Sequence, residues 1–394
     1  MSDGQATRVL GTGPASVGSW PTPQQELLLR AALTEGPRAV DAWVAWEREI
    51  NWDDHLEEGS YRLLPLAYEN LQSEGFGHPI MQKLKGIYRL AWYRNHTGLT
   101  RLAAVLKALR ASGVPTLVLK GSALLATHYK SYGLRPMSDG DVLVPRQDVG
   151  TAIGVLTSIG WKVETIADGV PLDELISSRH AVTFLDEQGN QIDLHWHTLV
   201  ENCQPGADDA FWEGSVEITL AGEPTRALNP TDQLLHVCVH GARWNELPSI
   251  RWVADAIVIL RQSSKDIDWD RLLRQAHDRL LVLPVRATIT YLRHAFDAPV
   301  PDDFLRRVQS EATSRQERLE FKYRNRDHRG TILGYLPVMW FDYLRTRPPL
   351  SNTHRVWGFA NYLKLHVGAP SILLVPPYLA FTSQRVRRFV GFGG

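Results

Sequence analysis

Three aspartates carry the strongest chemical signal in this sequence. Asp139 and Asp141 stand in Ser138-Asp139-Gly140-Asp141-Val142-Leu143-Val144, whose apolar, β-branched end reads as a strand. Side chains on a strand alternate, so both carboxylates project from one face and Gly140, Val142 and Val144 from the other. Two carboxylates this close repel, and in a cleft one must take up a proton unless a cation sits between them. Hard oxygen ligands of this kind suit Mg²⁺ or Mn²⁺. Asp193 offers a third carboxylate. It lies in a strand pattern over residues 191–198, where Ile192, Leu194 and Trp196 alternate with Gln191, Asp193, His195 and His197.

Lys120-Gly121-Ser122 breaks a short apolar run at residues 116–119, and a helical pattern follows at 123–130. A strand that hands over to a helix gathers free backbone N–H groups and the positive helix end, which suits a phosphate. Gly121 is expected to let phosphates approach closely and to take a backbone angle that only glycine adopts easily. Lys120 and Arg135 are candidate phosphate or base contacts. A phosphate cradle beside a carboxylate metal site is what metal-assisted nucleotidyl transfer requires.

Other chemistries are open to the same residues. His195 and His197 on one strand face have a frequent zinc-ligand spacing, and with Asp193 and His180 they would make a zinc hydrolase site. That reading leaves Gly121-Ser122 and the Asp139/Asp141 pair unexplained. A non-catalytic nucleotide-binding or scaffold module is a further alternative. His236 and His240, one helical turn apart, lack a Glu at the metalloprotease offset and are expected to pack or hydrogen-bond. Arg251 and Asp255 are spaced for a helix ion pair.

Lys120-Gly121-Ser122, Arg135, Asp139-Gly140-Asp141 and Ile192-Asp193-Leu194-His195-Trp196 together resemble the uncharacterised nucleotidyltransferase family of the DNA polymerase β-like superfamily, over residues 90–260 or so. That family is met in bacterial biosynthetic gene clusters, including those for lasso peptides. The resemblance implies metals held by Asp139, Asp141 and Asp193, and a triphosphate seated on Gly121, Ser122, Lys120 and Arg135. It further implies NTP, with ATP the expected one, as donor of an NMP group to a small-molecule, peptide or protein acceptor. The step from Ser122 to Asp139 is longer than is usual in the superfamily, and Gly140 stands where an aliphatic residue is usual.

The elements that must position these groups follow from hydrophobic periodicity. Residues 1–20 are rich in Gly, Ser, Pro and Thr and are expected to be a disordered tail. Residues 21–113 read as a helical region, with helices at 23–33, 39–50, 61–71 and 79–111. Its tryptophans and the stripe Leu84, Ile87, Leu90, Ala91, Leu102, Val105, Leu106 and Leu109 are expected in the core. Residues 114–228 read as the catalytic core, with strands at 116–119, 138–144, 161–166, 180–185, 191–198 and 216–220. Asp186–Asn190 with Gly189 is hairpin chemistry. Residues 229–394 read as a second helical region, including one helix over 303–322 and a last one over 377–389. The fold class is α/β (α+β), a nucleotidyltransferase-like small mixed sheet flanked by helical N- and C-terminal regions.

Composition sets the bounds. Lys plus Arg and Asp plus Glu are both 43 among 394 residues, which argues against general nucleic-acid binding. Cys203 and Cys238 give no disulfide framework, consistent with a reducing cytoplasm. The first residues lack the apolar stretch of a signal peptide, and no apolar run reaches membrane-spanning length.

Overall fold

A computed structural model describes residues 20–54, 56–164, 172–243, 250–325, 332–346, 352–367, 369 and 371–377. Among the described residues seven strands form one sheet: β1 (Leu117–Val118), β2 (Asp139–Leu143), β3 (Lys162–Val163), β4 (Ala181–Leu185), β5 (Gln191–His195), β6 (Val216–Leu220) and β7 (Glu223–Ala227). Their order is β3-β4-β5-β2-β1-β7-β6. The sheet is mixed: β2 runs parallel to β5 and antiparallel to β1, while β1 runs parallel to β7. The expected 186–190 turn forms, with Asp186 Oδ1 accepting from the backbone N–H of Gln188 and Asn190 and Gly189 at φ +77°. The expected tail at 1–20, all but its last residue, and the helix at 377–389, all but its first, lie outside the described residues.

Strand β7 is an addition to the sequence reading, whose last strand is 216–220. Ala221 and Gly222 both take positive φ, +47° and +90°, which is the backbone of a tight hairpin with the right strand twist. Pro224 pairs with Thr219 of β6. On its other side β1 reaches only Arg226 and Ala227, so no ladder donor is asked of the proline.

Among the described residues four helices precede the sheet: α1 (Pro23–Leu33), α2 (Pro37–Arg48), α3 (Glu58–Ser73) and α4 (Ile80–Ala111). α1 starts on a capping box, Thr22 with Gln25, followed by Pro23. Within the sheet region lie α5 (Lys120–Thr127), α6 (Val149–Ser158), α7 (Leu172–Ser178) and α8 (Asp209–Glu213). After it come α9 (Pro230–Gly241), α10 (Arg251–Gln262), α11 (Trp269–Asp278), α12 (Val282–Phe296), α13 (Asp302–Ser310), α14 (Arg315–Arg324), α15 (Ile332–Thr346) and α16 (Asn352–Val367). The single helix expected over 303–322 is two, because Ser314 caps a new one by accepting from the N–H of Glu317 at 3.0 Å.

Trp43 and Trp46 are fully buried, as their spacing predicts. Leu90 and Trp92 are not: they are 41% and 42% exposed on the outer face of α4, because α4 packs against α3, α6, β2 and β7 on its other side. Buried apolar side chains from Leu28 to Val308 form one continuous core across helices and sheet, and a smaller one gathers Met339, Tyr343, Tyr362 and Leu363. Gly140 has its own place in that core. A Cβ there would lie 3.1 Å from Leu102 Cδ1 of α4, so the missing side chain lets the helix pack close behind the aspartates. No helix among the described residues is long and apolar enough to cross a membrane.

Candidate active site

Parallel pairing of β2 with β5 puts Asp141 directly beside Asp193, with Asp139 two residues back opposite Gln191. The alternation read from sequence therefore places Asp139, Asp141 and Asp193 on one face. Lys120 Nζ lies 2.7 Å from Asp141 Oδ1, and His195 Nε2 donates to the same oxygen at 2.9 Å. Thr183 Oγ1 and Gln191 Nε2 both donate to Asp193 Oδ1, at 2.8 and 3.1 Å. Each of these two carboxylates thus keeps its second oxygen without a hydrogen-bond partner among the described residues. Donor atoms of Asp141, Asp193 and His195 lie within 4.8 Å of one another. His195 therefore joins the cluster, and Asp139 stands just outside it.

The electrostatics are lopsided. Burial alone would raise the Asp141 carboxyl, but the Lys120 ammonium and the His195 hydrogen bond outweigh it and hold it below the ordinary carboxylate range. Asp139 is pushed up, first by burial and then by Asp141, with Lys120 only partly compensating. Burial works against the Lys120 charge, yet Asp141, Asp139 and Asp193 together raise its proton affinity. One ammonium thus faces three carboxylates. The donor set fits a hard divalent cation, with unshared carboxylate oxygens on adjacent strands.

Lys120 reaches this position because it takes φ +45° at the turn into α5. The left-handed angle expected at Gly121 thus belongs to its neighbour. Gly121 is needed for space instead, since a Cβ there would lie 2.4 Å from Arg135 Nη1 and 2.8 Å from Met137 Cγ. Gly121 and Ser122 are buried in the first turn of α5, where backbone N–H groups have no intrahelical acceptor. The Ser122 hydroxyl points to Met137 Sδ at 3.6 Å.

Arg135 is buried and holds Asp255 of α10 with two bonds, Nε to Oδ1 at 2.7 Å and Nη2 to Oδ2 at 2.9 Å. Tyr129 donates to the same carboxylate. The ion pair expected between Arg251 and Asp255 is therefore replaced by Arg135–Asp255. Arg251 Nη1 instead donates to Pro136 O at 3.0 Å, and Arg62 Nη2 of α3 reaches Ser138 Oγ at 3.5 Å. Burial, followed by the nearby Arg135 and Arg62 charges, pulls the Arg251 guanidinium down to about 9. Sequence reasoning missed this basic flank beside Asp139. Arg62 is many residues away, and Arg251 looked satisfied by its helix neighbour.

His195 and His197 part ways. His197 Nδ1 donates to Asp208 Oδ2 at 2.7 Å, outside the carboxylate cluster, because β5 ends at His195 and strict alternation ends with it. His195 Nδ1 is buried without a hydrogen-bond partner among the described residues. His180, 5.6 Å from it ring to ring, is held well below the usual histidine range, first by burial and then by the neighbouring His195.

The structure is similar to two solved structures of ANT(2'')-Ia. One is its crystal structure in complex with adenylyl-2''-tobramycin, at 14% identity and a TM-score of 0.31, covering 49% of this chain and 98% of that one. The other is the solution structure of that antibiotic-resistance factor, with substrate-regulated conformation dynamics, at 15% identity and a TM-score of 0.28, covering 52% and 95%. No curated protein matches the sequence. Residues 49–297, which hold the carboxylates, the Lys120-Gly121-Ser122 turn and the basic flank, match the family described as uncharacterised nucleotidyltransferase, and the chain belongs to that family.

Proposed function

We propose that the protein is a divalent-metal-dependent nucleotidyltransferase that moves an NMP group from an NTP, with ATP the expected donor, to a hydroxyl or phosphate acceptor. The carrying observation is the parallel register that sets Asp141 beside Asp193, each with one oxygen held and one unshared. Asp139, Asp141 and Asp193 are the metal carboxylates, and His195 orients Asp141. Mg²⁺ or Mn²⁺, when bound, neutralises triphosphate charge and makes the acceptor hydroxyl more acidic.

The chain's own residues do the rest. First-turn N–H groups at Gly121 and Ser122 bind the β,γ-phosphates, with Arg251 and Arg62 as the cations beside them. Lys120 keeps the carboxylates apart in charge until the nucleotide arrives, then follows its phosphates. Arg135 positions the turn by packing against Gly121 while Asp255 holds it. The acceptor is a small molecule, peptide or protein group that lies between the sheet and the helices after Pro230. The acceptor oxygen attacks the α-phosphorus, diphosphate leaves, and the acceptor proton is lost to solvent.

Calorimetry tests this reading. Mg²⁺ should strengthen NTP binding in the parent protein, and Asp139→Asn with Asp141→Asn should abolish that gain. Metal-enhanced binding that survives in the double variant rejects the site.

A further inference from the structure

The zero net charge of the chain hides a strongly segregated element. Helix α4 carries seven lysines and arginines and neither Asp nor Glu over its 32 residues. Several of these cations are exposed, among them Arg89, Arg94 and Lys107. Among the described residues these three make no ion pair, and neither does exposed Lys130 of the nearby 128–138 loop.

Aromatic rings stand among these charges. Tyr93 is 65% exposed and Trp92 is 42% exposed. Trp92 stacks on His96 with ring centroids 5.1 Å apart and planes 4° from parallel. His96 in turn lies 6.2 Å from Tyr132. Tyr132 sits in the stretch that lengthens the step from Ser122 to Asp139. Flat aromatic faces in series, interleaved with free cations, match a ligand that repeats a phosphate and a π-face. An acidic peptide would use the charges and leave the rings unexplained. A lipid surface would call for a continuous apolar wedge, whereas His96, Thr97 and Thr100 break this one.

We propose that this face of α4, with Tyr132 and Lys130, is a docking surface for single-stranded RNA. Arg89, Arg94, Lys107 and Lys130 contact phosphates, and Trp92, Tyr93 and Tyr132 receive bases. The buried side of the same helix fastens the loop that leads to Asp139. Asn95 Nδ2 donates to Tyr132 O and, at 2.8 Å, to Arg135 O, and its Oδ1 accepts from Met137 N at 3.0 Å. Bound RNA therefore lies one loop away from the candidate active site.

The test uses the full chain and a fluorescein-labelled oligouridine of about 12 nucleotides, within the usual site size of such grooves. Anisotropy is measured without nucleotide, so the result does not depend on the transferase reading; ATP binding is followed separately. The parent protein should bind, and its affinity should fall steeply as salt rises. Arg89→Glu with Arg94→Glu should weaken binding by about a hundredfold and flatten the salt dependence. Trp92→Ala with Tyr93→Ala should weaken it about tenfold or more with the salt slope kept. Melting temperature and ATP binding should not change in either pair. Absence of RNA binding at low salt overturns the proposal, as does equal binding by parent and variants. So does tighter binding to polyglutamate or to phosphatidylserine vesicles, or self-association that the substitutions abolish.

Discussion

Two buried charge clusters in this protein are built on opposite plans. Between the segment after β5 and the C-terminal region, Glu201 pairs with Arg243, Arg324 with both Glu320 and Asp342, and Arg345 with Glu320. Three acids meet three arginines there, and each carboxylate has a guanidinium within hydrogen-bond range. At the carboxylate end of β2 and β5, Asp139, Asp141 and Asp193 share the single ammonium of Lys120, and the cations Arg62 and Arg251 are set apart beside Ser138 and Pro136. A matched cluster leaves each carboxylate with a guanidinium partner, so taking one partner away strands a buried charge. An unmatched one stores repulsion that a proton or an added cation relieves, which makes it a candidate site.

The largest effect should come from the unmatched cluster. Asp193→Asn should leave NTP binding nearly intact, through Asp139, Asp141 and the α5 turn, while turnover falls by about a thousandfold or more. Diphosphate release measures it, and His197→Ala should fall far less because that ring serves Asp208. Full turnover in Asp193→Asn would remove this residue from the catalytic set.

Next in size is the matched cluster. Arg345→Ala strands Glu320, 4% exposed, with one of its two arginines gone, and should cost about 3–5 kcal/mol in urea unfolding. Nucleotide affinity of the folded fraction should not change. A loss of binding without a loss of stability would mean that the two clusters do not divide their roles in this way.

A change of sign sharpens the contrast. Asp139→Asn removes the carboxylate that burial and Asp141 push up, so the metal-free protein should become more stable by about 1 kcal/mol, while the gain from Mg²⁺ disappears. A lower melting temperature for metal-free Asp139→Asn would show that Lys120 already balances the site.

The smallest effect is a pH dependence. Burial holds His236 down to about 3 and His128 down to about 4. Below the ordinary histidine value the unfolded chain takes up protons that the native chain refuses, so stability is fully present above that value. It should be lost as pH falls from about 6.5 toward those lowered values. His236→Gln should flatten this part of the stability profile; a profile as steep as the parent's would assign the loss to other groups.

Much of the candidate site was legible because it rests on period-two alternation. Asp139 and Asp141 share a face wherever the strand lies, and the Asp186–Asn190 turn fixes the antiparallel pairing that brings Asp193 to the same sheet. The helix stripes and the buried Trp43 and Trp46 were local patterns too. The hairpin that adds β7 was less legible, since Pro224 signals a break unless the length of β1 is known.

What the sequence alone determined, then, is the set of groups and the faces they occupy, because helix and strand periods act over neighbouring residues. Tertiary structure alone decided the partners, because pairing is set by which elements meet. Parallel register chose Asp193 for Asp141. The left-handed turn at Lys120 set its ammonium among the aspartates. The approach of α10 took Arg135 for Asp255 and left Arg251 beside Arg62. Packing of α4 against α3, α6 and the sheet decided that Leu90 and Trp92 face outward, since a helix with apolar residues on several sides buries only the side that its neighbours cover.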